Sequence, residues 1–182
     1  YAALNGNSRK PSDAQRQNYG MHTGIFTEVS IGESATDSIE LNVSGLTLMG
    51  TVGGSALICG NAKGGNTNAK LTMNIQNVTL NGIRRYPYVT DATTISPLLL
   101  NTIGSYTNVN ISNVNVTATE YTSGEFAASS LIGVVGDATA SNIHVNFSDM
   151  GLDGTGHSLR IFSRAYFLES FQYTADSSGT YN

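Results

Sequence analysis

The sequence predicts an all-β chain wound as a parallel β-helix of about four to five turns. Three observations predict it. A nine-residue phrase occurs four times, as Asn42–Gly50, Asn74–Gly82, Asn110–Ala118 and Asn146–Gly154, with starts 32, 36 and 36 residues apart. Apolar and polar residues alternate within each copy, which is the period of a strand and not of a helix. At one fixed place the alternation is broken by Gly45, Asn77, Asn113 or Asp149. These residue types accept a left-handed backbone most readily.

Each element follows from that phrase. Val43, Ile75, Ile111 and Phe147 face one way, and Asn42, Asn74, Asn110 and Asn146 face the other. Beyond the corner, Leu46/Leu48, Val78/Leu80, Val114/Val116 and Met150/Leu152 turn inward again. Each copy therefore reads as strand, one-residue corner, strand. A third strand precedes each pair: Gly24–Phe26, Ser55–Cys59, Pro97–Leu100, Ser130–Gly133 and Ser158–Phe162 are short apolar runs bounded by Gly or Ser. Three short strands per turn put equivalent side chains in columns about 4.8 Å apart. A β-sandwich would space its strands about 8–12 residues apart, with no corner residue in register.

The connections are unequal. Thr27–Ser38 and Gly60–Lys70 are long links from the first strand to the second, whereas Gly104–Tyr106 and Gly136–Ala140 are short. Among the return links, Asn81–Ile95 and Thr117–Ser129 are long, and Met49–Gly54 and Asp153–His157 are short. Variable function resides in such insertions, because stacked strands cannot change without unpairing. Residues 1–20 read as an irregular lead-in and 21–182 as one β-helix domain, with 163–182 either a fifth turn or a cap. Tyr1 is not a start methionine and no signal peptide is visible, so the expectation is a mature or excised piece of a larger protein.

Composition narrows the partners. The chain has 182 residues, only 12% of them charged, with net charge -4 and no basic cluster beyond Arg84-Arg85. That argues against nucleic acid. No apolar run approaches the length of a membrane span. The single cysteine, Cys59, ends an apolar strand and reads as a buried small hydrophobe, leaving the redox compartment open.

Several groups carry candidate chemistry. N-x-S/T sequons begin at Asn42, Asn77, Asn110, Asn115 and Asn146, but all fall inside the repeat, where asparagine has a structural reason to be. The outward rows Thr72/Asn74/Gln76, Asn108/Asn110/Ser112 and His144/Asn146/Ser148 form a lattice of amides and hydroxyls. A solvated face is the plainer reading, and sugar contact through Asn74, Asn110 and Asn146 is the sharper one. Ice binding would need a repeated Thr-x-Thr row, which is lacking. The loop Gly82–Asp91 offers Tyr86 and Tyr88 for stacking on sugar rings and Arg84 and Arg85 for carboxylates or sulfates. Asp137, Asp149, Asp153 and Glu120 are carboxylates near loops without the paired spacing that acid/base catalysis needs. His144 has no carboxylate partner close in sequence, and the Gly-rich stretch Gly60–Asn68 lacks the ending of a phosphate-binding loop. Asp176–Asn182 offers oxygen ligands for calcium, and no other cofactor is implied.

The Asn-apolar-Ser-Asn/Gly/Asp phrases and the Ser-Leu-Ile/Leu runs resemble right-handed, pectin-lyase-like β-helix regions of large bacterial surface and secreted proteins. The resemblance covers roughly 24–162 and is specific for fold, not for task. It implies a bacterial origin and an extracellular place, at the cell surface or secreted. The family's catalytic acids and calcium-binding aspartates have no match here, so no catalytic residue carries over. The functional expectation is a non-catalytic module, a rigid scaffold or adhesin contacting glycan or host protein beside neighbouring domains. The alternatives are a polysaccharide lyase or glycoside hydrolase fragment, and a filament or surface-layer subunit that associates end to end.

Overall fold

The alternating phrases pair with one another, and none pairs with itself. In a computed structural model, residues 25–49, 56–83, 96–118, 128–153 and 158–175 are described. They form ten strands: β1 (Phe26–Ser30), β2 (Ile39–Met49), β3 (Cys59–Lys63), β4 (Leu71–Ile83), β5 (Ser96–Ile103), β6 (Thr107–Ala118), β7 (Ala128–Val135), β8 (Ile143–Asp153), β9 (Ser158–Ala165) and β10 (Ser170–Ala175). Odd-numbered strands build one five-stranded sheet, β1-β3-β5-β7-β9, and even-numbered strands the other, β2-β4-β6-β8-β10. All neighbouring strands in both sheets are parallel. The chain is a parallel β-solenoid of five rungs, and no helix occurs among the described residues.

Each rung carries two strands, where the sequence suggested three. The reason lies in the corner. Gly45, Asn77, Asn113 and Asp149 have φ of 75°, 53°, 49° and 52°. Pairing nevertheless runs on through the bend, from Ser44↔Gln76 on one side to Leu46↔Val78 on the other. One left-handed residue turns the strand without breaking its ladder, so the second and third segments are one bent strand. Nothing lies within 4 Å of a Cβ built on Gly45, so that corner has room for an asparagine like those beneath it.

Two of the expected first strands sit later in the chain. Gly24–Phe26 and Ser55–Cys59 give way to β1 and β3, which begin at Phe26 and Cys59. The apolar run before β3 is still part of the stack: Leu57 donates to the Leu98 carbonyl at 2.8 Å, and Ile58 to that of Leu99 at 3.0 Å. The Gly-rich stretch expected to be loose is held at several points. Its first residues are β3, and the Asn66 side chain donates to the Glu33 and Ala35 carbonyls while accepting from the Asn68 and Ala69 amides. Gly64 is required there because a Cβ would collide with the Tyr106 carbonyl. Residues 163–175 continue the solenoid as its fifth rung, through the end of β9 and all of β10.

The interior is a stack of columns. Val43, Ile75, Ile111, Phe147 and Tyr173 succeed one another in register, as do Leu41, Met73, Val109, Val145 and Phe171. Leucine, isoleucine and valine fill the middle rungs with essentially no exposure. Toward the last rung the filling turns aromatic: the Phe147 ring centroid lies 6.2 Å from that of Phe162 and 6.1 Å from that of Phe171. Cys59 is fully buried, as expected of a small hydrophobe. Its thiol donates to the Asn61 carbonyl at 3.0 Å, and burial pushes its pKa above the ordinary thiol value.

A second stacked corner was not anticipated. Tyr106 and Asn142, each immediately before an even-numbered strand, have φ of 56° and 58°. Tyr106 donates to the Ser141 carbonyl at 3.0 Å and accepts from the Leu71 amide at 3.0 Å, so this bend also repeats in register.

Candidate functional site

Register decides what the outward face of the second sheet presents. Every second residue of β2, β4, β6, β8 and β10 points away from the core. One column therefore runs Glu40, Thr72, Asn108, His144, Ser170 and the next Asn42, Asn74, Asn110, Asn146, Gln172. A third holds Ser44, Gln76, Ser112 and Ser148. The candidate residues Asn74, Asn110 and Asn146 are thus brought into one line, on adjacent rungs.

Their amides bond along that line. Asn110 Nδ2 donates to Asn74 Oδ1 at 2.9 Å, and Asn74 Nδ2 donates to Asn42 Oδ1 and to Glu40 Oε1, both at 2.8 Å. Beside them Asn108 Nδ2 reaches Thr72 Oγ1 at 3.3 Å. The corner column does the same, with Asn113 Nδ2 on Asn77 Oδ1 at 2.7 Å and Asn77 Nδ2 on Ser44 Oγ at 3.1 Å. An amide carries a donor and an acceptor, so identical residues stacked in register satisfy one another. All five sequon asparagines, Asn42, Asn77, Asn110, Asn115 and Asn146, thus have a place in a register column whatever else they do.

The amide chain stops at Asn110. Among the described residues no side-chain hydrogen bond reaches Asn146 or Gln172, the next two members of the line. At that point the face sinks into a shallow depression of about 330 Å³. Thr72, Asn108, Asn110, His144, Val145, Asn146, Ser170 and Gln172 line it. Its lining, Val145 aside, is polar and carries both donors and acceptors.

The structure supplies His144 with partners that sequence reasoning missed. Ser170 stands directly beside it on the next rung, with Oγ 2.7 Å from Nδ1. Glu169 Oε2 lies 3.7 Å from Nε2. Hydroxyl, imidazole and carboxylate in that order are the groups of a nucleophilic relay. Here, however, the imidazole and the carboxylate are 37% and 48% exposed, so water competes with each contact. The spacing offered no hint, because the two partners come from the following rung and not from the same stretch of chain.

The remaining candidates fall elsewhere. Asp137 is committed to its own turn: Thr139 donates to its Oδ1 from the hydroxyl at 2.8 Å and from the amide at 2.7 Å, holding the carboxyl below its usual pKa. Asp149 is a corner. Arg84, Arg85, Tyr86, Tyr88, Glu120 and the stretch Asp176–Asn182 lie outside the described residues. Among the described residues no group of three or more His, Cys, Asp or Glu is placed to hold a metal ion. No family model matches the chain, and no curated protein or solved structure matches it either.

Proposed function

We propose that the chain is a non-catalytic solenoid module of an extracellular bacterial surface protein, like the pectin-lyase-like regions its repeat resembles. It acts as a stiff scaffold and offers a neutral saccharide a place on the outward face of the second sheet. One observation carries the second half: among the described residues, the asparagine column leaves the amides of Asn146 and Gln172 without side-chain partners where the face is hollowed. Groups on this face repeat about 4.8 Å apart between rungs and about 6.6 Å apart along a strand. Such a lattice of paired donors and acceptors suits the vicinal hydroxyls of a sugar chain. Glu40 and Glu169 flank it, which disfavours an anionic glycan. Stiffness follows from parallel pairing of every interior strand on both sides.

The test is a glycan array probed with the chain and with an Asn146→Ala/Gln172→Ala variant. Loss of a neutral-glycan signal in that variant, with retention in Tyr86→Ala/Tyr88→Ala, supports the reading. Signals that ignore the amides and vanish with the tyrosines move the contact to the Gly82–Asp91 loop. The Ser170–His144–Glu169 row favours one alternative, a hydrolase acting on a saccharide or its ester substituents. Release of product from a polysaccharide panel, abolished by Ser170→Ala, would replace the non-catalytic reading with that one.

A further inference from the structure

Among the described residues the terminal strands are sheet edges: β1 and β9 border the first sheet and β2 and β10 the second, each with a described neighbour on one side only. The large apolar residues exposed among the described residues are Ile25, Ile39, Tyr166 and Phe171, at 41%, 49%, 56% and 44%. All four belong to the first or the last rung. Ile39 heads a column whose next members, Leu71, Thr107 and Ile143, are fully buried. Phe171 ends the column of Met73, Val109 and Val145, which are buried too. Unpaired backbone crowned by apolar side chains is a template for a further strand.

The columns say which strand fits. If winding continued past β10, the next two strands would lie parallel on β9 and then on β10. The β1 and β2 strands of another copy come in that order and direction. In the register the chain already uses, Leu41 of the added copy would meet Phe171, Val43 would meet Tyr173, and Asn42 would meet Gln172, whose side chain has no hydrogen-bond partner among the described residues. In the first sheet the column Glu28, Asn61, Thr102, Val134, Arg164 has opposite charges at its two ends. Glu28 of one copy would therefore sit beside Arg164 of the other. Arg164 is already steadied at that rim, with Nη1 2.7 Å from the Tyr166 hydroxyl and its guanidinium carbon 5.5 Å from the ring centroid.

We propose that a second copy of this chain stacks head to tail on the last rung, in the register of the chain's own turns. The two contacting surfaces differ, so each added copy presents a fresh end and the contact repeats into a linear polymer. This inference does not depend on the saccharide reading.

The experiment uses charge exchange. The average mass of the full chain is followed by light scattering as concentration rises, beside Glu28→Arg and Arg164→Glu, with circular dichroism melts checking that each is folded. The wild-type mass is expected to climb with concentration. Each variant alone puts like charges at the junction and should need roughly tenfold more protein to assemble. Mixing the two variants pairs Arg164 with Glu28 at one junction and the exchanged charges at the next, so assembly should return. A wild-type chain that stays monomeric at every concentration overturns the proposal. So does assembly indifferent to both substitutions, or a mixture that behaves like its separate components.

Discussion

Asn113→Val and Asn110→Val form a matched pair that isolates the corner. Both asparagines are exposed on β6, and each donates one amide bond to its counterpart on β4, at 2.7 Å for Asn113 and 2.9 Å for Asn110. Either substitution loses one exposed amide bond, about 0.5–1 kcal/mol. Valine suits a strand, so at Asn110 part of that loss is recovered. At Asn113 the backbone sits at φ 49°, where a β-branched residue is strained. A left-handed conformation costs an ordinary L-residue about 1–2 kcal/mol. The hydrogen-bond terms cancel between the variants, so Asn113→Val should be less stable than Asn110→Val by about 1–2 kcal/mol. For a chain of this size that separates the melting temperatures by about 2–8 °C. Urea unfolding followed by circular dichroism reads it directly. Asn113→Gly removes the bond but not the permissive backbone, and should fall back to the level of Asn110→Val. If Asn113→Val and Asn110→Val agree within about 0.5 kcal/mol, the corner is not what holds asparagine at this position.

Two more outcomes follow from the packing. Gly64→Ala forces a methyl against the Tyr106 carbonyl and should destabilise by about 1–3 kcal/mol, whereas Gly45→Ala meets no neighbour and pays only for its positive φ. Denaturant midpoints check this, and a Gly64→Ala variant that keeps the wild-type midpoint would contradict it. Cys59, buried and with a raised pKa, should react with a thiol reagent only as the protein unfolds. Its protonated form is the one burial favours, so its contribution to stability is whole below the ordinary thiol pKa of 9.0 and is lost as pH rises past the folded value. A Cys59→Ala variant should lose that part of the alkaline decline, and labelling of the native chain as fast as in urea would be the contrary result.

The second sheet was legible in the sequence and the first less so. A corner needs one specific backbone state, and only a few residue types accept it cheaply, so Gly45, Asn77, Asn113 and Asp149 announced themselves. The opposite bend at Tyr106 and Asn142 uses the same state without a common residue type, and Tyr106 gave no signal at all. The first-sheet strands slid because apolar runs report burial, while strand limits report backbone pairing. Ala56, Leu57 and Ile58 are buried ahead of β3, not within it. The rows of Asn74, Asn110 and Asn146 were readable from the repeat, since equal spacing implies equal height. The link from His144 to Glu169 and Ser170 was not, because the return link from β8 to β9 is shorter than the earlier return links and shifts the following rung in sequence.

The ladder partners of each rung lie only 25 to 36 residues away along the second sheet. A chain emerging amino end first from a ribosome or an export channel can therefore complete one coil before the next is made. Such a chain can fold vectorially, each finished coil being the surface on which the following one crystallises.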